Sequence, residues 1–362
     1  MTAGDASPLV GIDWDAITLR PPFAVDEAAV RDCVGGRRVL VTGAAGSLGA
    51  PLAASLALAN PARLVVYDHH ESSLFHLREA LGAAHPSLGL RPVLGDVRDR
   101  RRLHGVLAEE RPHLVFHLAA YKHVPWGEED PEAFAAANIL GARHVIDGAR
   151  DSGVERIVYP STDKAIDPPS LYGATKRLAE AMLRTAAAEG EPGCSIVRFV
   201  NVLGSQGSAP EKFARQLRTG RPLTITDPEM RRYWITPQHA NLLLLHAACL
   251  ALPAERAITV APDAGDEISI LDIARRVARA IVPQGPEPAI AVTGRRPGER
   301  LAEPLTAAHE WLEPLPLPGL LAVRGICPPP PGATEAAVAA VSQLLDRGAS
   351  AAELRTALFG AP

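Results

Sequence analysis

The chain is 362 residues long, 47% hydrophobic and 22% charged, with a net charge of −4. That length buries a large core and suits one large domain or two modest ones, and the charge gives no reason to expect nucleic acid or an acidic membrane surface as a partner. The cysteines Cys33, Cys194, Cys249 and Cys327 are scattered without metal-ligand spacing and read as thiols of a reducing compartment, so no metal site is expected. Met1 to Val10 has neither the basic start nor the apolar core of a signal peptide, and the longest apolar run, Leu242 to Pro253, is too short to span a bilayer. A cytoplasmic protein without a membrane partner is expected.

Residues 1–36 contain Pro and Asp with weak periodicity and read as an arm. Arg37 to Thr42 is a short apolar run ending in glycines, the mark of a buried strand. A helix over 47–59, a strand from Arg63 to Asp68 and a helix over 71–83 follow. Val93-Leu94, His113 to His117, Arg156 to Tyr159 and Ser195 to Phe199 read as further strands, with helices over 99–110, 131–152 and 172–189 between them. Beyond residue 200 the alternation loosens: 209–219 and 237–252 look helical, Pro222 to Ile225 and Ile258 to Val260 look like short strands, and 268–282 reads as a strand leading into a helix. A stiff Pro-rich connector at 327–333 precedes two terminal helices. Alternating strands and helices give the fold class: α/β, a Rossmann-type doubly wound parallel sheet with a smaller C-terminal substrate-binding lobe. The expected division is an arm at 1–36, the nucleotide-binding sheet at 37–200 with 237–262 returning to it, the lobe at 201–236 and 263–330, and C-terminal helices at 331–362.

Thr42-Gly43-Ala44-Ala45-Gly46-Ser47-Leu48-Gly49 has the glycine spacing of a strand-to-helix phosphate turn. An acid, Asp68, ends the next strand, where a carboxylate accepts from adenosine ribose hydroxyls and repels a 2′-phosphate. This favours NAD, while His69-His70 leaves NADP open. Asp96, in Gly95-Asp96-Val97-Arg98, either accepts from an adenine amino group or belongs to a helix N-cap near Asp99.

Ser161-Thr162 ends the fifth strand, and Tyr172 and Lys176 lie at i, i+4, on one face of a helix. A hydroxyl, a tyrosine and a lysine in this order can generate a tyrosinate that takes a hydroxyl proton while hydride leaves for the cofactor, with Lys176 lowering the phenol's pKa. Of 37 basic residues only Lys122, Lys164, Lys176 and Lys212 are lysines, and arginine cannot serve as a titratable amine. Asp163 and Lys164, an acid and an amine beside the tyrosine system, point to further proton transfers.

The segments VTGAAGSLG (41–49), FHLAAYKHVP (116–125), PSTDKAIDP (160–168), YGATKRLAE (172–180), RFVNVLGSQGS (198–208), MRRYWIT (230–236) and RRPGER (295–300) together resemble an extended short-chain dehydrogenase/reductase. Within that superfamily the chain resembles the polysaccharide-biosynthesis-type UDP-N-acetylglucosamine 4,6-dehydratases that invert C5. DWDAITLRPPF (13–23) also resembles the linker ahead of the catalytic part of large membrane-anchored members. The resemblance implies a homo-oligomer, a UDP-sugar substrate, and a cofactor site built from Gly43, Ala45, Gly46, Ser47, Leu48, Gly49, Asp68, Asp96, Val97, Ala119, Ala120, Tyr172 and Lys176. It implies catalysis by Thr162, Asp163, Lys164, Tyr172 and Lys176. Tyr172 takes the C4 hydroxyl proton, Lys164 removes the C5 proton, Asp163 protonates the leaving C6 hydroxyl, and hydride returns to C6. Lys122 and His123 would line the sugar pocket, and Asn201, Arg232 and Arg296 would hold the nucleotide diphosphate. The chain departs from the family pattern at Gln206, Pro210-Glu211 and Trp126-Gly127, all expected near the sugar or nucleotide. The competing readings are a 4-epimerase or net C4 dehydrogenase, a 5,6-dehydratase, and a non-catalytic dinucleotide-binding scaffold. An epimerase has no need to expel the C6 hydroxyl, so Asp163-Lys164 argues against it.

Overall fold

The structure, a computed structural model, describes residues 11–20, 22–190 and 192–361. Residues 1–10 and Pro21 of the expected arm, Glu191 and Pro362 lie outside the described residues. In the large sheet seven of the described strands run parallel: β1 (Arg38–Thr42), β2 (Arg63–Asp68), β3 (Leu90–Leu94), β4 (Leu114–His117), β5 (Arg156–Thr162), β6 (Gly193–Phe199) and β7 (Ala257–Pro262). Their order is β3-β2-β1-β4-β5-β6-β7, and two antiparallel strands, β8 (Trp311–Pro314) and β9 (Leu320–Arg324), extend the β7 edge with β9 innermost. This edge corrects the sequence reading, which left 311–324 in the lobe without strands. The order reverses between β1 and β4: β1 pairs with β2 on one side, Val39↔Leu64, and with β4 on the other, Val39↔Leu114. Such a reversal opens a crevice at the strands' carboxyl ends.

Helices follow the strands: α1 (Gly49–Leu58), α2 (Glu71–Ala84), α3 (Arg100–Glu110), α4 (Gly141–Asp151) and α5 (Leu171–Ala188). Beyond β6 come α6 (Ala209–Arg218), α7 (Pro237–Cys249), α8 (Ile270–Ile281) and the C-terminal α9 (Ala333–Asp346) and α10 (Ala351–Phe359). Side chains alternate across a strand. Leu40 of β1 therefore joins the apolar layer beneath α3, α4 and α5, while Val39 and Val41 join the layer beneath α1, α2 and α7. Both faces are covered, which is why these strands read as near-continuous apolar runs.

The lobe has its own core, built from Phe213, Ile225, Trp234 and Ile273. The arm enters it. Trp14–Thr18 forms a helix, Trp14 and Ile17 are buried in the lobe core, and Arg276 Nη1 donates to the Ile17 carbonyl at 2.7 Å. A second arm helix, Glu27–Val34, packs on the α7 side of the sheet, where the Asp26 N–H donates to His246 Nε2 at 2.8 Å. The weak periodicity of 1–36 hides these helices because each is short and each buries only a few residues.

Arg198 of β6 is buried between two carboxylates. It donates to Glu180 of α5 through Nε at 3.1 Å and Nη2 at 3.0 Å, and to Glu310 through Nη1 at 2.6 Å. Burial pushes the Glu180 carboxyl up and Arg198 more than offsets it, so its pKa lies below the ordinary value. Removing the cation would leave the buried Glu310 without its charge partner and Glu180 with the more distant Arg184, at 3.9 Å. Arg198→Met is expected to lose about 3–5 kcal/mol of stability, read as a lower urea midpoint with unchanged cooperativity. An unchanged midpoint would show that the cluster does not anchor β8 to α5.

Candidate active site

The glycine turn after β1 is set by close approach. Gly43 has φ of +65°, and a Cβ there would lie 2.7 Å from the Ala119 nitrogen. A Cβ on Gly49 would lie 2.2 Å from the Gly43 carbonyl oxygen, so α1 starts hard against the turn. Gly43, Gly46, Ser47, Leu48 and Gly49 all line a cleft of about 640 Å³ at the sheet's carboxyl edge, and Ala120 lines its facing wall. Ala119 sits behind that wall, its N–H donating to Thr42 Oγ1 at 3.3 Å.

Asp68 has a different first task from the expected one. Its Oδ2 accepts the Ala45 N–H at 2.9 Å and its Oδ1 accepts the His70 N–H at 2.9 Å, so the buried carboxylate ties the turn to the end of β2. The two readings of Asp96 separate. Asp99 is the N-cap of α3, accepting from Arg102 N at 2.9 Å, whereas Asp96 is gripped by Arg98 through Nε at 3.0 Å and Nη2 at 2.6 Å. Arg98 holds the Asp96 carboxyl below its usual range. Val97 is buried against Gly141 of α4.

At the end of β5 the chain turns through one 3₁₀ segment, Asp163–Ala165, before α5. Thr162 Oγ1 donates to Asp163 Oδ1 at 2.9 Å and accepts the Lys164 N–H at 3.3 Å. Lys164 Nζ donates to Asp163 Oδ1 at 3.0 Å and to Asn201 Oδ1 at 3.4 Å. Asp163 Oδ2 is buried with no hydrogen-bond partner among the described residues. Thr162, Lys164, Tyr172 and Lys176 all face the same cleft.

Helix α5 begins at Leu171 with Ser170 as its cap, the Ser170 hydroxyl accepting Gly173 N–H at 3.2 Å. Burial raises the Tyr172 phenol well above its ordinary range, the Thr162 hydroxyl lowers it and Asp163 raises it again. The expected lowering by Lys176 is therefore not what dominates. Lys176 is itself pushed down to about 7 by burial, with Glu180 opposing, and its Nζ lies 4.1 Å from the centre of the Tyr159 ring. A lysine near neutrality is a weak source of positive charge for its neighbour. His117, hydrogen-bonded to Thr42 Oγ1 at 2.8 Å, is pushed down to about 3 by burial and then by Lys176.

The remaining expected residues divide. Lys122, His123, Asn201, Arg232 and Arg296 all line the cleft. Lys122 Nζ reaches Ser47 Oγ at 3.5 Å and so bridges the cleft to the glycine turn. Arg232, expected on a diphosphate, is turned inward: Nη1 donates to the carbonyls of Arg231 at 2.7 Å and Leu301 at 2.8 Å, and Nη2 to that of Arg300 at 2.7 Å. Its fork braces the lobe. Of the three departures, Gln206 lines the cleft, Glu211 accepts the Gly207 N–H just behind it, and Trp126 lies 62% exposed on the surface, away from the cleft wall.

Three contributors escape a reading of the sequence. Asn138 lies in a π-helical segment, Ala136–Leu140, a distortion frequent at functional sites. It accepts Tyr121 N–H at 2.8 Å and donates to Thr175 Oγ1 at 3.0 Å, tying the loop after β4 to α5. Lys212 lines the cleft beside Arg296; burial, Arg296 and Arg215 lower its pKa against Glu299. Its position as one of four lysines was the available signal. Glu303 lines the cleft while 3% exposed, and nothing in its local sequence marks it.

Among the described residues there is no group of His, Cys, Asp or Glu arranged to hold a metal ion, and no helix is long and apolar enough to cross a membrane. The profile of the family described as polysaccharide biosynthesis protein matches residues 39–324. The capsular polysaccharide biosynthesis protein CapD of Staphylococcus aureus is 34% identical over 308 residues, which are 84% of this chain and 51% of CapD. The chain thus spans about half the length of that relative. A UDP-N-acetylglucosamine 4,6-dehydratase (inverting) of Campylobacter jejuni is 31% identical over 286 residues, 76% of this chain and 78% of the relative. Pen from Bacillus thuringiensis, a solved structure, matches with a TM-score of 0.72 at 28% identity, over 80% of this chain and 88% of Pen. Because the matched profile runs from β1 to β9 and takes in the whole cleft, the chain belongs to the polysaccharide biosynthesis protein family, within the extended short-chain dehydrogenases/reductases.

Proposed function

We propose that the protein is an NAD(P)-dependent nucleotide-sugar 4,6-dehydratase acting on UDP-N-acetylglucosamine or a related UDP-sugar. The observation that carries this reading is the Asp163–Lys164 pair beside Tyr172: a buried acid with one oxygen unpartnered among the described residues, and an amine 3.0 Å from its other oxygen that lines the cleft Tyr172 also faces. A plain dehydrogenase or an epimerase has no use for them.

The cleft fits a dinucleotide, since Gly43, Gly46 and Gly49 put bare backbone along its wall and the start of α1, which no side chain caps, offers free N–H groups. Asp68 favours NAD, and the half-exposed His69 ring, 3.5 Å from Asp68 Oδ1, leaves room for NADP. When bound, the nicotinamide would accept hydride from C4 and return it to C6. The protein's own part is proton handling. Tyr172 Oη takes the C4 hydroxyl proton, with Thr162 lowering the cost of the phenolate. Lys164 Nζ takes the C5 proton and Asp163 gives one to the departing C6 hydroxyl. Lys212 and Arg296, side by side on the cleft wall, offer cations to the diphosphate.

Incubation with a panel of UDP- and dTDP-sugars, read by mass spectrometry, tests the assignment. The expected product has lost one water and carries a 4-keto group. A product of unchanged mass with inverted C4 would instead establish an epimerase. Lys164→Met is expected to keep cofactor binding and C4 oxidation while water loss falls about a hundredfold or more; elimination at near wild-type rate would remove Lys164 as the base.

Lys176 makes a second prediction. Its pKa falls from 10.5 to about 7 on folding, so between those values the unfolded chain holds more protons than the folded one. Its contribution to stability is therefore most unfavourable below about pH 7 and improves as pH rises toward 10.5. Lys176→Met is expected to remove that rise, measured as urea midpoints at two pH values inside the window. An identical pH dependence in the variant would show that Lys176 is not desolvated.

A further inference from the structure

Lys164 faces a second carboxylate besides Asp163. Glu303 Oε1 lies 3.9 Å from Lys164 Nζ and 3.7 Å from Arg232 Nη2, both ion-pair distances rather than hydrogen bonds. Glu303 is 3% exposed, and its Oε2 is buried with no hydrogen-bond partner among the described residues. It comes from the lobe, whereas Lys164 ends the sheet strand, so the contact spans the cleft. The charged and titratable groups acting on Glu303 are Lys164, Asp163, Arg232 and Arg300. Arg300 donates to the carbonyls of Ile166 and Asp167, and Arg232 to those of the lobe, so both guanidinium groups are already held.

We infer that Glu303 is a positioning residue that orients Lys164 and supplies the counter-charge for the ammonium Lys164 becomes on taking a proton from the substrate. The inference rests on the dehydratase reading. In that elimination the C5–H bond breaks and its proton goes to Lys164 Nζ. The freed pair forms C5=C6, the C6–O bond breaks, and the oxygen leaves as water with the Asp163 proton. Asp163 carries no charge until it has given up that proton, so while positive charge first develops on Lys164 the carboxylate able to balance it is Glu303, the role of a third group that orients a general base. Arg232 steadies Glu303 in turn. Burial raises the Glu303 pKa above its ordinary value, against the lowering by Lys164, Arg232 and Arg300. The counter-charge is thus lost as the pH falls through the Glu303 pKa, earlier than for an ordinary glutamate.

The test reads Lys164 directly. The full chain loaded with NAD is treated with acetic anhydride across a pH series, and acetylation at Lys164 is measured by peptide mass spectrometry with Lys212 as internal reference. Glu303→Gln removes a negative charge near the ammonium, so the midpoint of Lys164 labelling is expected to fall by about one pH unit. Glu303→Asp keeps the charge but withdraws it by one methylene, and a smaller fall is expected; it carries the test if the glutamine variant does not fold. With the UDP-sugar that wild type dehydrates, Glu303→Gln is expected to lose water about tenfold or more slowly while cofactor reduction from C4 proceeds unchanged. An unchanged labelling midpoint, or equal loss of C4 oxidation and elimination, overturns the inference. A shifted midpoint in a protein whose wild type removes water from no sugar sinks the dehydratase reading and leaves the Lys164–Glu303 coupling standing.

Discussion

Helix α5 starts directly against the backbone of Lys164. A Cβ on Gly173 would lie 2.0 Å from the Lys164 carbonyl oxygen, so only glycine allows this approach. The contact fixes Tyr172, one residue earlier, against the strand end that carries Thr162, Asp163 and Lys164. Its surroundings are built to hold that start in place. Ser170 caps it, Glu128 Oε1 accepts the Leu171 N–H at 2.8 Å, and Arg355 of α10 pairs with the same Glu128. The C-terminal helices thus brace the reaction centre from behind, with Arg177 of α5 donating to the Ala361 carbonyl at 2.8 Å.

Around that start the interior carries more charge than an apolar core tolerates unpaired. Two groups of ions share the space. One, Asp163, Lys164, Glu303 and Arg232, reaches the cleft through Lys164, Glu303 and Arg232, with Asp163 buried behind them. The other, Glu180, Arg198 and Glu310, lies beneath it and bonds α5, β6 and the segment before β8 together. Lys176 has the Tyr159 ring at 4.1 Å, and its burial, opposed by Glu180, pushes its pKa down to about 7. The lower cluster is closed and stabilising. Among the described residues the upper one keeps two carboxylate oxygens without partners, a costly arrangement that makes sense where protons are to be moved.

The lobe is held by devices remote from the chemistry. Trp14 completes its core from the far N-terminal side, and the Arg232 fork clamps three carbonyls, those of Arg231, Arg300 and Leu301. These contacts set the wall opposite the sheet, and with it where Arg296, Lys212 and Glu303 stand.

The sequence by itself determined what local pattern and spacing can carry. The parallel strands were legible because both their faces are buried, the glycine turn because close approach tolerates no Cβ, and Tyr172 with Lys176 because a helix brings i and i+4 together. Asp163-Lys164 was legible because neighbours in sequence are neighbours in space. Tertiary structure decided the rest, since contacts between distant residues leave no local trace. Short strands β8 and β9 are defined by the edge they pair with, not by their own run of residues. Asp68 is taken up by the turn it supports and Arg232 by the carbonyls around it, outcomes that depend on which donors and acceptors folding leaves nearby. Glu303 lies 139 positions from Lys164 in sequence and 3.9 Å from it in space, so only the closing of the lobe over the sheet brings the two charges together.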